Sequence, residues 1–392
     1  MEIELSSQQL AARDKFREFA QNEIEPFADQ HDRDENTPPE LIGKMAEAGY
    51  LGAVVPREYG GLEMDAITFG LLCEEIGRSS TSILSLLTVQ GMVCQAIAQW
   101  GSPEQRMHWL PKLATGQTIA AFGLTEPDVG SDAGSVETAA VEADGHYVLN
   151  GKKQWISFGQ VADLFLIIAQ CNGKATAFLV ERDSPGFSSN AITGMLGFRA
   201  AMLAKLSMDE CRIPAANLVG RIGFGFSHVA GVALDHGRYC VGWGCLGLAE
   251  ACLHASLEYA NQRKQFGSLL RGHQLIQQML AEMIANIKAT RLLCYHAGYL
   301  KDRGDPALIM ETSTAKYFAS KTVSQAAGHT LQIHGANGCS SAYPVQRYLR
   351  DAKIMEIIEG STQIQQIIIA KSGLLEFSME KRRRRKQAAG NA

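Results

Sequence analysis

The chain has 392 residues, 46% of them hydrophobic and 20% charged, with a formal net charge of −4. That length supports two or three domains with ample core, and the weakly acidic balance does not suit a nucleic-acid binder. Nine cysteines, an odd number with no Cys-x-x-Cys pair, exclude a disulfide framework and a cysteine zinc site.

Met1-Glu2-Ile3-Glu4-Leu5 has neither the basic start nor the apolar core of a signal peptide. No apolar run is expected to span a bilayer, so the chain reads as cytoplasmic, with no membrane partner. The first 117 residues read as a helical domain. Ser6-Ser7-Gln8-Gln9 forms a capping-box pattern ahead of Leu10, Phe16 and Phe19. Pro38-Pro39 opens a second helix, and apolar helical segments follow over 71–76 and 84–100. Ser102-Pro103-Glu104-Gln105 supplies a cap, a proline at the first helical position and a glutamine at the third.

Between 118 and 222 the pattern turns strand-like, over 136–141, 147–156, 164–169, 175–180 and 204–208. Turn signals such as Ala143-Asp144-Gly145 and Asn172-Gly173 separate these runs, so a compact antiparallel β domain is expected. From 223 to 375, helical runs over 229–258, 274–303, 306–333 and 343–374 predict a four-helix bundle. The tail, 376–392, contains Lys381-Arg382-Arg383-Arg384-Arg385-Lys386. It reads as a disordered, solvated end; a nucleic-acid or membrane contact is the alternative.

Five segments carry residue types suited to chemistry. Gly123-Leu124-Thr125-Glu126-Pro127-Asp128-Val129-Gly130-Ser131-Asp132 offers small residues and hydroxyls that let a ligand approach the backbone; alone it reads as a turn at a strand end. Lys153-Gln154-Trp155-Ile156-Ser157 places a tryptophan in a strand, where core packing is the ordinary reading. Tyr259-Ala260-Asn261-Gln262-Arg263-Lys264-Gln265-Phe266-Gly267 is a basic helix end, a common form of dipole compensation. Gln332-Ile333-His334-Gly335-Ala336-Asn337-Gly338 is a glycine-rich helix exit, in which His334 reads as a packing or capping residue. Met355-Glu356-Ile357-Ile358-Glu359-Gly360-Ser361-Thr362-Gln363 sets a carboxylate before Gly-Ser among apolar residues. Such surroundings raise a carboxyl's pKa towards the range of a general base; a helix N-terminal carboxylate is the structural alternative. Gly223-Phe224-Gly225 lacks a third glycine and a preceding Rossmann strand, so it does not indicate NAD. The ten histidines do not cluster, so no metal site is expected.

Together these segments resemble the acyl-CoA dehydrogenase family of flavoproteins. The resemblance covers nearly all of the chain ahead of the basic tail. It implies an α+β multidomain fold, with an N-terminal helical domain, a middle β domain and a C-terminal four-helix bundle. It also implies FAD as cofactor and an acyl thioester as substrate. Thr125 and Ser131 match flavin or substrate contacts; Val129 stands where a smaller residue is usual and is expected to narrow the pocket mouth. Trp155 and Ser157 match residues at the flavin ring and its N5. Arg263, Gln265 and Phe266 match contacts to the FAD of a neighbouring subunit, implying a homodimer or homotetramer, and Gln274 matches a nearby cofactor contact. Gln332, Gly335 and Ala336 match the loop over the adenosine diphosphate half, with Ala336 replacing a glycine. Ser361 and Gln363 match flavin contacts, Arg238 matches an acyl-pocket residue, and Glu359 matches the catalytic base. Glu356 is its competitor. In members with the base on another helix, the corresponding place is Gly237.

A narrower likeness lies in Ser85-Leu86-Leu87-Thr88-Val89-Gln90-Gly91-Met92, Val241-Gly242-Trp243-Gly244-Cys245 and the 353–361 segment. They resemble the branch that acts on acyl groups held on carrier proteins and makes hydroxymalonyl, methoxymalonyl or aminomalonyl extender units for polyketide and hybrid peptide assembly lines. The substrate would then be a short hydroxy- or aminoacyl group on an acyl or peptidyl carrier protein. Gln90 and Arg238 are the candidates to meet its polar substituent, and either could equally be structural. Two alternatives stand beside it. One is a catabolic acyl-CoA dehydrogenase that passes electrons to an electron-transfer flavoprotein. The other is a flavin-free binding scaffold.

Overall fold

A computed structural model describes residues 4–390. Positions 1–3, on which the signal-peptide reading partly rests, and tail residues 391–392 lie outside the described residues.

The N-terminal helices are α1 (Ser7–Phe19), α2 (Ala28–Asp34), α3 (Pro39–Glu47), α4 (Ala66–Ser79), α5 (Thr81–Trp100) and α6 (Pro103–Ala114). Two begin at the capping boxes legible in the sequence. Ser6 Oγ accepts the Gln9 N–H at 3.2 Å, and Gln9 Oε1 accepts the Ser6 N–H at 3.0 Å. Ser102 and Gln105 repeat the exchange at 3.2 and 3.0 Å. Each box satisfies two N–H groups that the first helical turn would otherwise leave unpaired.

The middle domain contains β1 (Ala120–Gly123), β2 (Ala139–Ala143), β3 (His146–Ile156), β4 (Leu164–Cys171), β5 (Lys174–Glu181), β6 (Phe187–Ala191), β7 (Ala204–Pro214) and β8 (Leu218–Val219). The sheet order is β6-β7-β3-β2-β4-β5-β8, with β1 also on β4. It is not purely antiparallel as expected: β1 runs parallel to β4, pairing Ala120 with Leu164, and β2 meets β4 in parallel at Ala139 and Gln170. β4 can accept two neighbours on one edge because they pair with its opposite ends. All its residues but Gln170 are buried, the continuous apolar reading of a covered strand.

Beyond the sheet come α7 (Gly231–Gln262), the short strands β9 (Lys264–Gln265) and β10 (Ser268–Leu269), and then α8 (Gln274–Asp302), α9 (Leu308–His334), α10 (Val345–Ile357) and α11 (Thr362–Gly390). The fourth predicted bundle helix is therefore two helices, broken at 358–361. The tail also departs from expectation, because α11 carries helix through to Gly390.

α7 joins the helical domains: it packs against α4 and α5 of the first and against α8 and α9 of the last. Contact with α4 is close enough that a Cβ on Gly247 would lie 2.0 Å from the Glu74 carbonyl oxygen. Trp243 fills the same seam, fully buried beside Gly70 and Tyr295, so this part of the branch-like segment is core packing. Arg291 binds Glu74 through two hydrogen bonds of 2.8 and 2.9 Å, and Arg347 reaches Asp29 at 2.7 Å. Among the described residues, two helices meet the length and apolarity of a membrane span, against expectation: α5, and α7 with the π-helical turn Gly225–Ala230 before it. In the fold 89% and 72% of their apolar windows are buried.

Candidate active site

A cavity of about 640 Å³ opens where the domains meet. Its walls are α5, the loop after β1, the end of β3, α7, and the break between α10 and α11. Seven of the residues singled out in the sequence line it: Thr125, Ser131, Trp155, Ser157, Arg238, Glu359 and Ser361.

The loop after β1 is held by a buried ion pair. Glu126 and Lys153 approach to 2.6 Å with side chains 4% and 0% exposed. Lys153 Nζ also donates to the Leu124 carbonyl at 3.1 Å, and the Glu126 carboxylate accepts the Glu137 and Thr138 N–H groups at 2.6 and 2.9 Å. Burial alone would raise Glu126, but Lys153 and these donors hold its carboxyl below the ordinary range. Burial draws Lys153 down to about 8. The Gln154 N–H donates to the Thr125 carbonyl at 2.9 Å, so Thr125 and Trp155 are positioned as a unit. Lys153→Met should strand a buried carboxylate, at about 3–5 kcal/mol. Thermal unfolding and flavin retention should fall together; an unchanged midpoint would show the pair to be dispensable.

Strain collects on the same walls. Trp155 (φ 63), Phe198 (φ 55) and Glu359 (φ 55) are non-glycine residues in the left-handed region. Each costs about 1–3 kcal/mol and persists only where surrounding structure fixes it. Trp155 remains 47% exposed, its indole bordering the cavity. Phe198 is fixed by the buried Asp351, whose carboxylate accepts the Phe198 N–H at 2.9 Å and the Thr81 hydroxyl at 2.8 Å.

Glu359 sits in the break that divides the predicted helix. The backbone turns extended at Ile358 (ψ 159), then left-handed at Glu359 and at Gly360 (φ 88). Burial pushes the Glu359 carboxyl up to about 7, opposed by Arg238 and Lys316 and aided by Cys240. Glu356 differs: it pairs with Lys353 at 2.6 Å, has a carboxyl held below the ordinary range against the effect of burial, and does not line the cavity. Gly237 faces Glu359 so closely that a Cβ there would lie 2.6 Å from Glu359 Oε2. The two base positions of the resembled family thus converge on one point, and here the helix side leaves room for the carboxylate.

Other expected residues lie elsewhere. Gln90 is fully buried and spends its amide on backbone, donating to the Leu113 and Thr118 carbonyls at 2.9 and 3.2 Å and accepting the Ala120 N–H at 2.8 Å. It ties α5 to β1 and does not meet substrate, which corrects the expectation. Val129 turns into the core, 8% exposed, and does not narrow the mouth. Arg263, Gln265, Phe266 and Gln274 lie on an exposed arm, with Phe266 98% exposed. Gln332, Gly335 and Ala336 are also exposed, at the end of α9. The two groups adjoin: Asn337 Nδ2 donates to Tyr259 Oη at 2.8 Å, and His334 stacks on Tyr259 with ring centroids 4.2 Å apart. Gln363 is exposed on the first turn of α11 and outside the cavity lining.

Sequence reasoning missed Lys316 on α9, which is fully buried beneath the Glu359 turn. Its signal was a lysine on the stripe of Thr312, Ala319 and Val323, all buried.

Three family models match in chain order: the acyl-CoA dehydrogenase N-terminal domain over 6–117, the middle domain over 121–211 and the C-terminal domain over 223–374. The chain belongs to the acyl-CoA dehydrogenase family. It is an oxidoreductase acting on acyl thioesters. It is 39% identical to an acyl-CoA dehydrogenase of Bacillus subtilis over 94% of this chain and 98% of that protein. Glutaryl-CoA dehydrogenase of Mycobacterium smegmatis, solved with FADH2, superposes with a TM-score of 0.89 at 29% identity, covering 94% and 95% of the two chains. The prolyl acyl carrier protein oxidase AnaB superposes at 0.89 with 30% identity, covering 94% and 99%. FkbI, for biosynthesis of a methoxymalonyl extender unit, superposes at 0.85 with 27% identity, covering 93% and 99%.

Members of this family bind FAD, and the cavity fits that group. It presents an aromatic face at Trp155 and hydroxyls at Thr125, Ser131 and Ser157, beside a carboxylate raised to about 7. These cavity residues would hold the flavin end. When bound, FAD supplies a two-electron acceptor.

Proposed function

We propose that this enzyme oxidises a short hydroxy- or aminoacyl group carried as a thioester on an acyl or peptidyl carrier protein, as a step towards an extender unit for polyketide or peptide assembly. One observation carries this reading: α5 lines the cavity with three hydroxyl residues on one face, Thr81, Ser85 and Thr88. Each has already donated its proton: Thr81 to Asp351 at 2.8 Å, Ser85 to the Ser82 carbonyl at 2.7 Å and Thr88 to the Leu84 carbonyl at 3.0 Å. Their oxygens remain as acceptors, suited to a substrate hydroxyl or ammonium group. A plain alkyl chain would leave that spare acceptor capacity unused. The fold likeness to AnaB and FkbI agrees with this reading.

In this account Glu359 is the base. Its carboxylate takes the proton from the carbon beside the thioester, or from the C3 hydroxyl when a hydroxyacyl group is oxidised there. Arg238 fixes the turn from which it acts, donating through Nε to the Glu359 carbonyl at 3.3 Å.

We further infer a homo-oligomer with a shared cofactor site. The cavity gathers one set of FAD-matching residues; the arm of Arg263 and Phe266 and the exposed end of α9 present the other to a second copy. Arg263→Ala should loosen FAD by about 1.5–3 kcal/mol, the worth of a charged hydrogen bond. Flavin absorbance after gel filtration measures this, and a monomer holding full flavin would contradict the shared site.

Identity favours a second reading. The curated relatives at 36–39% identity include a Bacillus subtilis acyl-CoA dehydrogenase and a short-chain-specific one from Clostridium acetobutylicum. A catabolic desaturase using an electron-transfer flavoprotein would follow from them. Anaerobic flavin bleaching separates the two. Seryl- or glyceryl-carrier protein should bleach the enzyme faster than butyryl-CoA or octanoyl-CoA; fast bleaching by the plain acyl-CoAs alone would favour the desaturase.

A further inference from the structure

The backbone turn beneath Glu359 is clamped by three side chains from three helices. The Glu359 carbonyl accepts Arg238 Nε from α7 at 3.3 Å and Gln365 Nε2 from α11 at 3.0 Å. The Gly360 carbonyl accepts the same Gln365 amide at 3.0 Å and Lys316 Nζ from α9 at 2.9 Å. Lys316 Nζ also reaches the Glu356 carbonyl, in the last turn of α10, at 3.4 Å. The lysine is fully buried, and both of these hydrogen-bond partners are carbonyl oxygens. Burying an ammonium without a carboxylate partner is expensive, of the order of several kcal/mol. The carboxyl-terminal end of a helix offsets part of that through its exposed carbonyls.

A methionine would fill similar space without that cost. Two consecutive left-handed residues need an external anchor, and Lys316 supplies one at Gly360.

We propose that Lys316 is a positioning residue of this enzyme: it holds the Glu359-Gly360 turn in its left-handed form and places a buried cation at the base of that turn. The proposal rests on the reading of Glu359 as the base. Arg238 and Cys240 face Glu359 from α7, and Lys316 faces it from α9. Lys316 itself faces Cys245 and Arg238 on α7 and Glu356 on α10, while Asp235 faces Arg238. Burial raises Glu359, and the two cations draw it down. Burial also lowers Lys316, to about 8, so it carries its charge on the acid side of the Glu359 titration. Without the cation, Glu359 stays protonated to higher pH, so the acid limb of the rate profile moves upward.

Lys316→Met and Lys316→Arg in the full-length holoenzyme test this. Methionine removes the charge and the donor, but both carbonyls keep another partner: Gln365 on Gly360 at 3.0 Å and Thr362 Oγ1 on Glu356 at 3.4 Å. The readout is the pH dependence of anaerobic flavin bleaching by butyryl-CoA and by seryl-carrier protein, taken on the faster of the two. Lys316→Met with full flavin should show an acid limb about one pH unit higher, at the lower end of what a neighbouring opposite charge supplies. Lys316→Arg should return the limb to the wild-type position. A Lys316→Met limb that superimposes on wild type overturns the proposal. So does a Lys316→Arg limb displaced as far as that of Lys316→Met. If Lys316→Met loses its flavin, Lys316→Arg decides alone: a wild-type limb supports the cation's role, and a displaced limb removes it. Failure of the base reading is distinct, since it would appear as wild-type bleaching by Glu359→Gln.

Discussion

Glu359→Gln should retain its fold and its FAD and lose about 10²–10⁴-fold in turnover, the usual worth of a positioned general base. The amide matches the carboxylate in shape and cannot accept a proton at neutral pH. The Glu359 backbone is fixed independently of its side chain, by Arg238 and Gln365 on its carbonyl, so the variant should report on chemistry and not on folding. Wild-type kcat/KM should rise with pH through about 7, the value to which burial pushes this carboxyl. The sign follows from the role: the base works only when ionised, so activity falls as pH drops through its pKa. Glu356→Gln should leave that limb and the turnover unchanged, because Glu356 is paired with Lys353 and lies off the cavity. Wild-type bleaching by Glu359→Gln, with loss in Glu356→Gln, would reverse the assignment.

Gly237→Ala should be nearly as damaging although it adds one methyl group. The new Cβ would lie 2.6 Å from Glu359 Oε2 and 2.7 Å from its Cδ. Carbon and oxygen atoms do not approach so closely, so the carboxylate must swing away. Displacing a reacting group by about 1 Å can cost roughly 10²-fold. The loss should fall on kcat while flavin content stays at one per chain. Equal turnover in Gly237→Ala and wild type would mean that the carboxylate works from another position.

Much of this site could be read from residue order. The two capping boxes and most of the helical and β segments have local signatures, whereas Thr125, Trp155, Ser157 and Glu359 stood out through the family resemblance of their segments. The break at Glu359 was hidden because Ile354, Ile357, Ile358 and Ile364 carry the apolar pattern straight through it; the left-handed turn is imposed by donors from three other helices. The parallel pairing of β1 and β2 with β4 was hidden because strand neighbours are set by topology, not by local pattern. β6, with Ser188, Ser189 and Asn190, lacks the apolar alternation of a strand and was missed. Gln90 misled because a buried amide meeting backbone carbonyls looks, in sequence, like one meeting a substrate. Lys316 was overlooked because a single lysine in a helix usually reaches solvent.

Intact-protein mass spectrometry of a loaded carrier protein tests the central claim most directly. Seryl- and glyceryl-carrier proteins would be incubated with the yellow enzyme in air and then weighed, with butyryl-carrier protein and enzyme-free controls alongside. The account predicts loss of two hydrogens from the hydroxy- or aminoacyl species and none from the butyryl species. Unchanged seryl and glyceryl carriers, with butyryl-CoA converted to its unsaturated product by the same preparation, would contradict it.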